Sequence, residues 1–479
     1  MSLVLLYCMI WLLTLITRTW RTTWHRPCVK ISCQSASAFD NLRALIPQHV
    51  EPQHLLVPKA FRRDRKLPYP RLITTILSLT AGGKATGVQT KIEELFRTAA
   101  RTGLWHDCNG LHRSALTKAR ARIAWTAFED LFYRAVAQAQ TQLPPAAEHL
   151  CHGMSVYAID GSKYTLPASA GLRQEFDPSS GLQHSGKGHF PQALVSTAID
   201  VLRHLPIART VAPANTSERA QASLILPHLP ANGIAMYDRG YPSYDFIRQH
   251  QENYAGYFLF RCPAQSTFAA VQRFVKSAKE EDILWLVPAS GQLKKSISLN
   301  DRLSRTAVKI RVIKLRAPDG TLSVLLTNLF GAKRFSKEEI INLYFRRWAV
   351  ETYYRDEKET LRIETFHSMS ANGIRQELFA SVAMAVIAQI LTVLAADECQ
   401  VPTDAKPQFK NALITLAHEA AILVPKDPVI ALRIFEDILK SIARVKYYRP
   451  TKRRPSPPRV CKQPPNKWTF YRAGRLANA

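Results

Sequence analysis

The sequence predicts an α/β protein with helical regions on both sides of a strand-rich centre, and three observations carry that prediction. Residues 38–150 repeat apolar side chains at helical spacing. Between 154 and 262, short β-branched and aromatic runs surround one helical stretch, and two of the runs end in aspartate. From 336 the pattern turns helical again. With 46% hydrophobic and 21% charged residues over 479 positions, the chain can bury an ordinary core, which excludes disordered and collagen-like classes. At roughly 150 residues per domain, this length predicts about two to four domains.

Residues 1–37 read as an apolar, then basic, extension. LVLLYCMIWLLTLI (3–16) is 14 residues with a single Thr, followed by Arg18, Arg21 and Arg26. It is shorter than the ~20 residues that span a bilayer. No basic region precedes it and no AxA-type cleavage site follows it. It reads either as a short anchor or signal core, or as an extension from a start assigned too far upstream. Residues 38–150 read as helices: PRLITTILSLTA (70–81), KIEELFRTAA (91–100) and the long run SALTKARARIAWTAFEDLFYRAVAQAQ (114–140), punctuated by Gly82, Gly83 and Gly103. Lys118, Arg120 and Arg122 give the last run a basic face. That region is expected to be a DNA-binding domain of helix-turn-helix type, a plain helical cap with a solvated face being the simpler alternative.

Residues 151–263 carry MSVYAID (154–160), QALVSTAIDVL (192–202) and PIARTVAP (206–213) as strands. A Ser-capped helix (217–229) and the strand GIAMYD (233–238) follow. Asp160 and Asp238 stand at the C-terminal ends of the first and fourth strands, each followed by an expected turn, DGS and DRGY. Adjacent strand ends lie ~5 Å apart, and open α/β sheets place their sites at that edge. YAGYFLFRC (254–262) adds a strand. Residues 264–330 read as a β-rich insertion with little helix, built from LWLVP (284–288), VKIRVIKL (308–315) and LSVLLTNLF (322–330), the last two flanking the turn APDG.

Residues 331–400 contain SKEEIINLYFRRWAVETYYRDEKETL (336–361), expected as one helix opened by the capping box Ser336 and Glu339. The nearly all-apolar 20-mer at 377–396 has the length of a membrane span. Its Ala-rich make-up and Gln389 favour a buried core helix. Residues 401–443 read as C-terminal helices. The tail, 444–479, has six prolines and is expected to stay extended until bound.

Charge points to a polyanionic partner. Lys and Arg number 65 against 37 Asp and Glu, a net charge of +28. The excess sits at the ends: +11 in residues 1–150, +6 in 151–443, and +11 in 444–479, which holds no acid. A modestly charged body between basic flanks suits DNA better than a membrane surface. The eight cysteines, at 8, 28, 33, 108, 151, 262, 399 and 461, form no CxxC and no Cys/His ligand spacing. A reduced compartment fits them, and zinc is not expected.

Tyr344, Arg347, Glu351 and Lys358 follow the spacing Y-x2-R-x3-E-x6-K. On a straight helix at ~100° per residue they share one ~60° stripe. Arg347 and Glu351 alone would be an ordinary i,i+4 pair. Taken with Asp160 and Asp238, Glu351 completes three carboxylates that can hold two divalent ions. Oxygen ligands without Cys or His suit Mg²⁺, with Mn²⁺ as the alternative. Lys358 and Arg347 would contact phosphate oxygens.

In IDGS, DRGYPSYDF, LLTNLF and YFRRWAVETYYRDEK the chain resembles the DDE transposases of bacterial insertion sequences, in the insertion-sequence-four group, over about 150–375. The resemblance implies a ribonuclease-H-like core that carries a β-rich insertion in the 112 residues between Asp238 and Glu351. It implies Asp160, Asp238 and Glu351 as catalytic, metal-holding acids. It implies DNA contacts from Tyr344, Arg347 and Lys358, with Arg239 a further candidate. Trp285, in the insertion, is either a base-stacking residue or a strand core tryptophan. Trp348 is expected to pack its helix against the sheet, and His367 to cap or touch phosphate instead of binding metal.

The expected activity is metal-dependent cleavage and strand transfer at the terminal inverted repeats of a mobile element, by a cut-and-paste route through a hairpin intermediate. The expected partners are those ends and target DNA, with a homodimer in the synaptic complex, at the bacterial nucleoid and without a membrane function. The rivals are an inactive DNA-binding relic, a nuclease of the same fold without strand transfer, and a membrane protein.

Overall fold

The computed structural model describes residues 31–63, 65–80, 87–106, 110–177, 190–265, 268–288, 307–316 and 320–448. The apolar run at 3–16, most of the APDG turn and the tail after Tyr448 lie outside them. Eight strands form one mixed sheet: β1 (Val156–Thr165), β2 (Gln192–Asp200), β3 (Leu205–Pro213), β4 (Ile234–Tyr237), β5 (Tyr257–Pro263), β6 (Glu281–Leu286), β7 (Val308–Arg316) and β8 (Leu322–Thr327). Their spatial order is β3-β2-β1-β4-β5-β8-β7-β6. β1 pairs antiparallel with β2 and parallel with β4, and β4 pairs parallel with β5. The remaining pairs are antiparallel. Each parallel step needs a crossover. Helices Glu218–Ile225 (before β4) and Tyr244–Asn253 (before β5) supply them.

Residue parity assigns the two faces of the sheet. Val156, Ala158, Ile234 and Met236 pack in one core with Leu343, Val350 and Tyr354 from the region after β8. Tyr157, Ile159, Ala235 and Tyr237 pack in a second core with the helix Ala371–Glu398 and with the N- and C-terminal helices. Burial on both faces explains why these strands read as continuous apolar runs.

The second core draws on both ends of the chain. The helices Cys33–Ala44, Tyr69–Leu79, Val88–Arg101, Arg113–Arg120 and Thr126–Gln142 share it with Phe409–His418 and Pro428–Arg444 around Ala371–Glu398. Phe39 stacks on Phe435 at 4.5 Å, and the Ser32 N–H and hydroxyl both donate to the Glu398 carboxylate. Among the described residues, Ala371–Glu398 is the one helix long and apolar enough to cross a membrane, and 83% of its apolar 18-residue stretch is buried inside the protein. The expectation of a core helix holds.

Four expectations need correction. β1 does not end at Asp160: it runs through Asp160-Gly161-Ser162 to Thr165, because β2 pairs with it over that whole length. Only the parallel pairing to β4 stops early, at Ala158. The stretch expected to hold little helix contains the helix Ala269–Lys276, and its strand β8 pairs with β5 and so extends the same sheet. The 114–140 run breaks between Arg120 and Thr126. Backbone bonds Leu56 N–H to Arg122 O (2.9 Å) and Ala124 N–H to His54 O (2.8 Å) replace helical ones.

The 336–361 run is three pieces, Lys337–Phe345, Trp348–Arg355 and a π turn at Asp356–Thr360. Tight bonds from Arg346 N–H to Leu343 O and from Arg347 N–H to Tyr344 O separate the first two. The ~60° stripe therefore does not describe the structure.

Candidate active site

Strand parity brings the acids together. Asp160 has the parity of Ala158, and Asp238, one residue past β4, has that of Met236, so both belong to the face covered by Trp348–Arg355. Glu351 is in the first turn of that helix. Tyr354, one turn on, places its hydroxyl 2.7 Å from the Asp160 carbonyl oxygen and 3.1 Å from that of Val195, which fixes the helix over β1.

Arg347 lies among the three acids. Its Nη2 donates to Glu351 Oε1 at 2.6 Å, and its Nη1 is 3.7 Å from Asp160 Oδ2. Its side chain is only 3% exposed, yet Nε and Nη1 have no hydrogen-bond partner. Buried guanidinium nitrogens without a partner are costly. The Tyr344 hydroxyl donates to Asp238 Oδ1 at 3.4 Å, and the Tyr344 ring is buried under the Arg347 guanidinium.

Burial pushes the Asp160 carboxyl up to about 7. Arg347 and the Gly161 N–H oppose the rise, while Glu218 and Asp238 add to it. Burial also raises the Tyr344 phenol. For Arg347 burial opposes the charge, but the surrounding phenol and acids hold its pKa above the ordinary value.

The other candidates separate into three groups. Lys358, on the π turn, donates to Ser162 Oγ at 2.8 Å and to the Lys163 carbonyl at 2.6 Å, and sits 4.5 Å from the Tyr164 ring centre. It is engaged on β1 two residues past Asp160. Arg239 is exposed in the turn after Asp238. Trp285 is on the edge strand β6 and 57% exposed, so it is no core tryptophan. Four strand spacings separate β6 from β4, or about 19 Å, and the structure does not bring Trp285 to the acids. Trp348 does not pack against the sheet: it is 43% exposed, because the tight turn before it resets the helix phase. The His367 backbone N–H and ring both meet Glu377 Oε2.

Sequence reasoning missed the support beneath this site. Fully buried Arg209 on β3 makes a two-pronged bond to Glu357, at 2.8 and 2.9 Å, and Glu357 also accepts from Ser381 and Tyr164. This network ties the π turn to β1, β3 and Ala371–Glu398. It also missed Glu218, the first residue of its helix, whose side chain lies against Gly161. An acid in a helix's first turn is so common that sequence offers little signal for it.

The residues fit a hard divalent cation. Their donors are carboxylate oxygens, and such a cation relieves the crowding of negative charge around the buried Asp160. In the structure as it stands, Arg347 balances them. Among the described residues, clusters with all ligand atoms within 4.8 Å of one another occur instead at Cys151, His152 and Glu339 and at Glu51, His54 and Asp130.

Residues 152–387 match the transposase DDE domain family. The chain is 25% identical over 269 residues to the transposase InsG for insertion sequence element IS4 of Escherichia coli (strain K12), covering 56% of this chain and 58% of that protein. It is 31% identical over 183 residues to the probable transposase for insertion sequence element IS5377 of Geobacillus stearothermophilus, covering 37% and 44%. Among solved structures, the piggyBac transposase synaptic complex with hairpin DNA is a loose neighbour, with a TM-score of 0.41 and 11% identity, covering 81% of this chain and 78% of that chain. The chain thus spans about half the length of the curated relatives it matches. A domain of this kind implies use of a divalent metal. Residues 152–387, which contain all three candidate acids, carry the transposase DDE domain, and the chain's likeness to insertion-sequence transposases agrees.

Proposed function

We propose that the chain is a DNA transposase that binds the terminal inverted repeats of its own element, cleaves phosphodiesters there and joins the freed ends to target DNA. What supports this above all is one arrangement. Asp160 and Asp238 leave adjacent parallel strands on the face covered by the helix of Glu351, with Arg347 between them. Within this reading β1 to β5 are a ribonuclease-H-like core, in which three antiparallel strands continue into two parallel ones. Residues 38–150 serve DNA binding, and strands β6 to β8 extend the core toward the DNA.

Asp160, Asp238 and Glu351 would hold two Mg²⁺ ions. When bound, such a pair supplies an activated water or 3′-hydroxyl and stabilises the leaving oxygen. The chain's own residues do the positioning. Tyr354 fixes the Asp160 backbone, Tyr344 orients Asp238, and Lys358 holds β1 beside the acids. Arg347 keeps the acids close in the absence of the cations, and its unpaired Nη1 and Nε are suited to a phosphate oxygen. Arg239 meets the backbone nearby, and Trp285 meets DNA at a distance from the cut. A homodimer would pair two ends.

The test uses the full chain with DNA carrying the element's two ends. Asp160→Asn and Glu351→Gln should each abolish cleavage while end binding stays within about threefold of wild type, because most of the positive charge lies elsewhere. Cleavage by either variant within about tenfold of wild type overturns the assignment. A strand-transfer assay on pre-cut ends separates a transposase from a nuclease.

A further inference from the structure

We propose that Cys151, His152 and Glu339 form a cation site of their own, distinct from the three acids, that takes a borderline-soft divalent ion such as Zn²⁺.

The donor set carries the inference. One ligand atom from each of the three residues lies within 4.8 Å of the other two, and His152 Nε2 and Glu339 Oε1 are 2.6 Å apart. A thiolate, a neutral imidazole and a carboxylate offer sulfur, nitrogen and oxygen, a mixture that suits Zn²⁺ and not Mg²⁺. Their two negative charges match one divalent ion. The His152 and Glu339 side chains are 32% and 41% exposed and Cys151 is half-buried. An ion can therefore enter, and water can complete a tetrahedron. Spacing in the sequence could not reveal the set, because Glu339 lies 187 residues beyond His152.

The backbone holds these donors in place without an ion. Cys151 and Met154 exchange both backbone bonds, at 2.8 and 2.9 Å. Between them His152 and Gly153 have φ of 50° and 79°, positive at both positions as a type I′ turn requires. The His152 ring then meets the start of Lys337–Phe345, edge-on to Phe335 at 4.9 Å. Glu339 departs from its local role. In a capping box its carboxylate would return to the Ser336 N–H. Half of the box forms, with Ser336 Oγ accepting from the Glu339 N–H at 3.2 Å, while the carboxylate crosses to His152.

The cluster at Glu51, His54 and Asp130 shows the contrast. There both ring nitrogens of His54 are engaged, by Thr126 and by Asp130. Arg134 pairs with Glu51 and stands 3.9 Å from Asp130, so a guanidinium already supplies the positive charge. Among the described residues, the ion pair of Glu339 is with His152 instead. Burial and Glu339 raise the Cys151 thiol, and Arg346 and Arg334 oppose them, so these two cations favour the thiolate that a metal needs. Arg334 itself is turned to the His152 carbonyl, at 3.2 Å. An ion here would tie the turn before β1 to the helix that carries Tyr344. The simpler account, a His–Glu pair beside an idle thiol, predicts no metal.

The full-length chain, stripped by chelator and kept in excess Mg²⁺ to occupy the acids, is titrated with Co²⁺ as a spectroscopic stand-in for Zn²⁺. Wild type should develop a thiolate-to-cobalt absorption that saturates at one ion per chain and that Zn²⁺ abolishes. Cys151→Ser should lose that absorption. His152→Asn, since asparagine tolerates the positive φ, and Glu339→Gln should each bind about tenfold or more weakly. Zn²⁺ should raise the urea midpoint of wild type and leave that of Cys151→Ser where it is. Asp160→Asn should titrate as wild type does, because its carboxylate belongs to the other site. Unchanged absorption in Cys151→Ser overturns the inference, since other thiols then bind the ion. Wild-type affinity in both His152→Asn and Glu339→Gln also overturns it, leaving a lone thiol. If Cys151→Ser does not fold, those two more exposed positions carry the test.

Discussion

Burial sets the charge state of Asp160, and that has a measurable consequence before any metal is added. Its carboxyl titrates at about 7 in the fold, against an ordinary value of 3.8. An acid raised in the folded state stabilises the fold fully below its unfolded pKa, and that contribution is lost as pH rises to the folded one. The metal-free protein should therefore lose stability between about pH 4 and pH 7 on account of this residue. Roughly 3 pK units at 1.36 kcal/mol each give about 4 kcal/mol as an upper bound. Asp160→Asn lacks the titrating group. Urea unfolding in chelator should show the variant gaining on wild type by a few kcal/mol across that range and by nothing more above pH 8. Parallel curves from pH 4 to 8 would mean that the carboxyl is not desolvated as the structure has it. The same residue shows how far sequence reaches. Asp160 and Asp238 were legible because each closes an apolar run, and parity then aimed them at one face. Glu218 was not, since its partner is the missing side chain of Gly161 across the sheet.

At the scale of elements, strands were legible and helix breaks were not. A strand's period-two pattern reflects two cores that really flank it. The break at 121–125 answers instead to partners far away. The Ile123 carbonyl accepts from Asn372 and Gln376, and the Trp125 N–H donates to Asn372. Tertiary bonds override local propensity there. Arg120, expected on a basic DNA-facing surface, is drawn inward by the same contacts. It bonds Glu377 Oε1 at 2.7 Å, Gln376 and the Gly373 carbonyl, and is 5% exposed. Glu377 is held down at about 2: burial opposes its charge, but Arg120 and His367 outweigh burial. A depressed acid stabilises the fold above its unfolded pKa and ceases to as pH falls toward the folded one. Glu377→Gln strands the buried Arg120 charge, at a cost of about 3–5 kcal/mol. Chemical denaturation at pH 7 should show that loss, shrinking as pH drops from about 4.5 toward 2. A loss below about 1 kcal/mol would mean that the N-terminal helices are not docked through this pair.

At the scale of the whole molecule, the charge layout and the fold divide the work. The N-terminal helices, which looked like a separable unit in sequence, share a core with the C-terminal ones, because each alone is amphipathic and needs the apolar Ala371–Glu398 to cover. The C-terminal boundary also moves. Lys446–Tyr448 pairs with Ala405–Pro407, and the Val445 carbonyl accepts from the Gln408 N–H, so residues up to Tyr448 belong to the fold. Removing 444–479 would damage it, so the cut belongs after Tyr448. Residues 449–479 still hold nine Lys/Arg and no acid. Each phosphate they neutralise adds roughly 0.9 to the slope of log affinity against log salt on duplex DNA. The shortened chain should bind all duplexes more weakly and with a slope reduced by up to about 8, while its ratio of affinities for end and random DNA stays the same. Its cleavage at low salt should persist, since every candidate acid remains. An unchanged slope would place the DNA grip on the 38–150 helices alone, and a changed ratio would give the tail a part in reading sequence.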